Sequence, residues 1–66
     1  MFELGEKVRI KSNSVIGTIV DIFYLSGKPF FTVESDSKGV TEGYGGDWKL
    51  FECAEEDIIA YNIRTA

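Results

Sequence analysis

Glycine divides this chain into short strand-like segments, and that division limits what it can fold into. Residues 5–10 and 17–22 each open with glycine and continue with alternating or β-branched apolar residues. Shorter segments of the same character cover residues 31–34 and 48–51. Short strands with turn signals between them are typical of all-β sandwiches and barrels. No apolar pattern is long enough for a helix that would cover a sheet, so an α/β layer is not expected.

Two segments predict strands of different kinds. Residues 7–11 alternate positive with apolar side chains, as a half-buried strand does. Residues 15–24 are apolar on both faces, and in so short a chain this predicts a strand that bends at a glycine or a bulge. We expect the bend at Gly17.

The remaining chain predicts a meander around a small core. Residues 25–28 form an expected hairpin turn, in which Gly27 can take a positive φ. Further strands are predicted over residues 30–34, 48–51 and 58–61, with a long polar loop over residues 35–47 and a single helical turn over residues 53–57. We therefore expect one all-β domain over residues 1–66, with its core at about residues 2–61 and a frayed end at residues 62–66. Closure of the sheet into a five-stranded barrel would remove the exposed edges that invite aggregation.

Size and charge limit the classes of partner. A core built from 66 residues supplies about 3–5 kcal/mol of net stability, so such domains often associate with a protein partner or with copies of themselves. Eleven acidic and seven basic residues give a net charge of −4, which argues against nucleic acid as the partner. No apolar stretch reaches the roughly 20 residues that span a bilayer, so no membrane partner is expected.

Cysteine and histidine usage limits the chemistry. Cys53 is the single cysteine, so no internal disulfide can form, which suits a reducing compartment. No secretory signal is visible, and a cytoplasmic location is expected. Because histidine and a second cysteine are lacking, a zinc site of the usual kind is excluded, and no metal or cofactor is expected. Beside its acidic neighbours, Cys53 is expected to be a small buried apolar group.

These segments together resemble the SH3-like small barrels of many bacterial and phage proteins. The resemblance is carried by Gly5-x-x-Val8-Arg9-Ile10, by residues 17–22, by Phe31-x-Val33-Glu34 and by the acidic turn at residues 55–58. It implies an SH3-like five-stranded barrel with one short helical turn before the last strand, in a protein of a bacterium, phage or mobile element. Because this barrel serves many unrelated functions, the resemblance implies no particular activity.

Within that class the chain is similar to the plasmid-borne type II dihydrofolate reductases. It shares their G-x-x-V-R-x-K-S opening at residues 5–12 and a later V-E-S at residues 33–35. The resemblance implies self-association around a central pore, and an oligomeric pore enzyme is therefore one alternative. The residues that carry the reductase chemistry differ, because the V-Q-I-Y strand of that family reads W-K-L-F at residues 48–51 and its first-strand lysine position holds Ile10. We therefore predict that the protein is not an enzyme.

Aromatic residues provide the predicted binding surface. A protein-interaction module for a basic or extended partner would use exposed rings for contact area and acidic side chains for charge. The alternative for Trp48 and Phe30 is a place in the core or in a subunit interface. The predicted surface consists of Tyr24, Phe30, Glu42, Tyr44, Asp47 and Trp48.

A positive stripe gives the second alternative function, nucleic-acid binding. Lys7, Arg9 and Lys11 share one strand face and, with Lys49, could contact an anion or a nucleic acid. The competing interpretation is a solvated face whose cations pair with nearby carboxylates. The acidic residues 52 and 55–57 are interpreted as solubilising charge near a helix start rather than as a metal site.

Overall fold

Five antiparallel strands account for about half of the residues that the structure describes. The computed structural model describes residues 2–61. The strands are β1 (Lys7–Ile10), β2 (Ile16–Leu25), β3 (Lys28–Ser35), β4 (Leu50–Ala54) and β5 (Ile58–Ala60), and a 3-10 turn, Glu55–Asp57, connects the last two. They form one sheet of order β4-β3-β2-β1-β5. The expected all-β fold, with five strands and one short helical turn before the last, is confirmed.

Local sequence explains most strand boundaries. In β1, Val8 and Ile10 are buried and Lys7 and Arg9, which alternate with them, are partly exposed, so the predicted alternation is confirmed. The hairpin between β2 and β3 turns at Ser26 (φ 51°) and Gly27 (φ 78°), a pair of positive φ values that two-residue hairpins favour. β4 begins at Leu50 rather than at the predicted residue 48, because residues 45–48 form an exposed bend.

A bulge changes the face that β2 presents to the core. The register with β3 shifts between Ile19 and Asp21, so Val20 is an extra residue in β2. An extra residue reverses the inward parity of a strand, and Ile19 accordingly faces the core before the bulge and Ile22 after it. The predicted bend in β2 is therefore present as a bulge, but its expected position at Gly17 is wrong.

Gly17 instead allows β2 and β3 to approach closely. It lies opposite Val8 on β1 and Ser35 on β3. A Cβ atom at this position would collide with the carbonyl oxygen of Glu34 and would lie 2.7 Å from Cγ1 of Val33. A glycine inside a strand commonly marks such a close backbone approach.

The sheet is not closed into a barrel, which corrects the expectation that closure removes the strand edges. β4 and β5 lie at the two ends of the strand order and run in the same direction, because each is antiparallel to a strand that is itself antiparallel to β2. Parallel neighbours need a crossover of about a dozen residues. Only Glu55–Asp57 separates β4 from β5, so the two strands cannot lie side by side.

The core lies on one face of this sheet. Phe2, near the N-terminus, packs against this core, and its ring lies edge-on to that of Phe31 at a centroid distance of 5.7 Å. Every strand contributes at least one buried side chain, so no strand can be lost without opening the core. The buried apolar residues are Val8, Ile10, Ile19, Phe31, Val33, Cys53 and Ile58.

The sequence also predicts a frayed C-terminal end and no membrane partner. The expected fraying of residues 62–66 lies outside the described residues. Across residues 2–61, no helix has the length and apolar character needed to cross a bilayer.

Gly17→Ala should lower the free energy of unfolding by about 1–3 kcal/mol, because the added methyl group has no space between β2 and β3. That loss is a large share of the stability of so small a domain. Gly46→Ala is the matched control, since a Cβ there meets nothing within 4 Å. Urea unfolding of both variants measures the effect. Equal midpoints for the two variants would show that the β2–β3 contact is not tight.

Candidate functional site

A cleft opens where the sheet fails to close. It has a volume of about 430 Å³ and lies between the free edge of β4 and the end of β1 with the loop that follows. We call it the β4 cleft. Its apolar floor includes Ile10, Phe51 and Cys53. Its polar rim includes Tyr44, Glu52 and Asp57, beside the uncharged side chains of Ser12 and Asn13.

Tyr44 is fixed on the rim by three hydrogen bonds. Its N–H donates to the Leu50 carbonyl at 3.0 Å, and the Leu50 N–H donates to the Tyr44 carbonyl at 2.7 Å. Its hydroxyl donates to Oε2 of Glu52 at 3.1 Å, while 48% of the residue stays exposed. Partial desolvation raises the pKa of the Tyr44 phenol, and the carboxylates of Glu52 and Asp21 raise it further. The phenol therefore stays protonated and keeps its bond to Glu52 at neutral pH.

Two side chains hold the loop that carries Tyr44. Asn13, in the β1–β2 loop, accepts a hydrogen bond from the Val15 N–H at 3.0 Å and donates through Nδ2 to Oε1 of Glu42 at 3.2 Å. At the other end of the loop, buried Ser35 accepts from the Lys49 N–H at 3.1 Å. The β3–β4 loop is thereby tied to the β1–β2 loop at the β4 cleft and to the end of β3.

The predicted aromatic surface is divided among separate places. Tyr44 lines the β4 cleft, and Glu42 is bonded across its mouth. Trp48 is 45% exposed in the same loop but does not line the cleft, and the ammonium of Lys38 lies 5.5 Å from the centre of its ring. Asp47 is exposed beside it.

Phe30 and Tyr24 lie near the β2–β3 hairpin. Phe30 is partly buried in a second cleft of about 300 Å³, which Pro29 and the 3-10 turn also line, and its ring stacks on Phe23 at 5.7 Å. Tyr24 lies opposite Pro29 and is 58% exposed. The structure therefore brings Tyr44 and Glu42 together and leaves Phe30 and Tyr24 elsewhere.

The predicted cationic residues are also divided. Lys7 forms an ion pair with Asp36, whose other carboxylate oxygen accepts from the Thr18 hydroxyl at 3.3 Å. Lys49 donates to the carbonyl of Gly45 at 3.2 Å, and β2 and β3 separate it from β1 in the strand order. Arg9 lies on β1 as predicted, whereas Lys11, predicted to lie on the same strand, follows its last residue.

Glu52 and Asp57 are the rim residues that the sequence did not assign to binding. Asp57 accepts a hydrogen bond from the Ala54 N–H at 3.1 Å, so it caps the 3-10 turn while facing the β4 cleft. Glu52 projects from the edge of β4. Among residues 2–61, no group of three or more His, Cys, Asp or Glu side chains could hold a metal ion.

Comparison with known proteins provides no relative whose function could be considered for this chain. No protein-family model matches it, and no curated protein and no solved structure matches it either. The resemblance to SH3-like barrels and to type II reductases stays a prediction. Function is therefore argued from the site.

Because of Cys53, the free energy of unfolding should change with pH in the alkaline range. Burial, with a contribution from the charge of Asp57, raises the pKa of its thiol from 9.0 to about 11. The unfolded chain releases this proton above about pH 9 and the folded chain retains it up to about pH 11. The free energy of unfolding should therefore fall across that interval, by on the order of 2 kcal/mol.

Cys53→Ala isolates this contribution, because the titration of Tyr44 is common to both proteins. Urea unfolding at pH 8 and at pH 11 should show a loss about 2 kcal/mol larger for the unsubstituted protein than for Cys53→Ala. Equal losses would mean that the thiol is not held away from water.

Proposed function

We propose that this protein is a non-catalytic protein-interaction module that binds a basic, extended segment of a partner in the β4 cleft. The observation that carries the proposal is the composition of the cleft: an apolar floor from two strands, β1 and β4, beneath a rim with two carboxylates and a half-exposed tyrosine. Apolar floors supply contact area, and a few polar groups at the rim supply specificity.

Charge favours a basic partner. The rim carries Glu52 and Asp57, and Glu42 lies at the mouth of the cleft. The chain as a whole has a net charge of −4, so a positively charged segment is attracted before it makes contact. A lysine or arginine of the partner would meet carboxylates that are already held in place.

The loop aromatics suit a cation as well. Lys38 places its ammonium 5.5 Å from the centre of the Trp48 ring, which is within the range of cation–π attraction. Tyr44 offers a ring of similar exposure next to Glu52. A basic side chain on the rim can contact the ring and the carboxylate together.

The two alternative functions have less support from the geometry. Lys7, the first residue of the cationic stripe, already pairs with Asp36, which reduces the attraction of that face for phosphate. Ile10, which holds the position of the reductase lysine, is buried in the core. Self-association is compatible with the module and is measured by the same experiments.

A nine-residue peptide of alternating lysine and valine should bind at low ionic strength, whereas the same peptide with glutamate for lysine should bind at least about tenfold more weakly. Calorimetry measures both affinities, and sedimentation of the free protein gives its oligomeric state. Tighter binding of the acidic peptide, or no binding of the basic one, would overturn the proposal.

Glu52→Gln should weaken binding of the basic peptide about two- to fivefold, the effect of one exposed charge pair. Glu56→Gln removes the same charge from an exposed position that does not line the β4 cleft, so its affinity should stay unchanged. Equal effects of the two substitutions would show that only net charge matters.

A further inference from the structure

The free edge of β4 presents main-chain groups in a fixed direction. The Lys49 carbonyl accepts a hydrogen bond from Ser35 on the β3 side, whereas Leu50 exchanges both of its bonds with Tyr44 on the opposite side. Main-chain groups alternate in direction along an antiparallel strand, so those of residue 52 point away from β3. The Ala54 N–H, which bonds to Asp57 rather than to β3, has the same direction. The N–H and C=O of Glu52 therefore face the β4 cleft.

The β3–β4 loop does not continue along this edge, and the reason is visible in its sequence. The bridge of Tyr44 to Leu50 would place Glu42 directly opposite Glu52 if the pairing went on. Two like charges in that position destabilise an antiparallel pair. At Gly43 (φ 86°) the chain turns away instead, and Glu42 bonds to Asn13. The pairing along this edge therefore ends at Leu50, two residues before Glu52.

We propose that the partner segment adds to β4 as a short strand, with a lysine or arginine opposite Glu52. This inference rests on the proposed function and specifies how the β4 cleft recognises its partner. An added strand satisfies the main-chain groups of Glu52, and a basic residue opposite it replaces the repulsion that Glu42 would cause with attraction.

Strand addition specifies the sequence pattern of the partner. The residue opposite Glu52 exchanges two main-chain hydrogen bonds with it, and its side chain lies on the face of the Glu52 carboxylate and the Tyr44 ring. The neighbouring residues of the partner point to the opposite face, toward Phe51 and Cys53. A segment that alternates basic and apolar residues fits both faces.

Backbone methylation of the lysine–valine peptide tests this geometry. One analogue carries an N-methyl group on every lysine amide and the other on every valine amide. With a free amino terminus the first residue has no amide, so the two analogues have the same charge and the same number of methyl groups. Strand addition requires the lysine amides for pairing with Glu52 and leaves the valine amides on the far side. Methylation of the lysine amides should weaken binding at least about tenfold, and methylation of the valine amides should change it less than about threefold.

The outcomes separate the mode of binding from the proposed function. If the unmodified peptide binds and both analogues bind equally, strand addition is overturned and the interaction module stands. If the unmodified peptide does not bind, both proposals fail, and Glu52 serves only to keep the edge of β4 from pairing.

A charge exchange checks the register independently. Glu52→Lys should bind the glutamate–valine peptide more tightly than the lysine–valine peptide, reversing the order of the unsubstituted protein. Glu56→Lys makes the same change of net charge at the 3-10 turn and should keep the original order. The same reversal in both variants would contradict a register in which the basic residue of the partner lies opposite Glu52.

Discussion

The short connection between β4 and β5 determines which surfaces this fold leaves open. Both strands run in the same direction, and Glu55–Asp57 is too short to return the chain for side-by-side pairing. The sheet therefore stays open at β4, and the gap beside it becomes a cleft of about 430 Å³ with core residues as its floor. The proposed binding surface depends on that constraint more than on any single side chain.

Much of the fold could be predicted from local pattern. The alternation in β1 and the hairpin at Gly27 depend on neighbours in sequence, and both are found as predicted. The two apolar faces of β2 predict its bend, but the position of the bend at Val20 depends on the register with β3, which the sequence pattern does not contain. The cost of exposed edges predicts closure of the sheet, whereas the direction of β4 and β5 and the short turn between them prevent it.

The site was less predictable, because it brings together residues distant in sequence. Tyr44 could be selected as an aromatic residue in a polar loop. The sequence does not distinguish Glu52 from the acidic residues after it as a binding residue, because Glu52 lies on the cleft only as a result of the open edge of β4. The contribution of Asn13 depends on a contact with Glu42 across the cleft. The turn chemistry around Asn13 was the only local signal for that residue.

Hydrogen exchange of the backbone amides in the free protein tests the open edge most directly. The amides of Phe51 and Cys53 point to β3 and should exchange only when the sheet opens, on the order of a hundredfold or more below the unstructured rate. The amide of Glu52, between them, should exchange within about tenfold of that rate. Protection of Glu52 equal to that of Cys53 would mean that the edge of β4 is already paired, and the account of the cleft would be wrong.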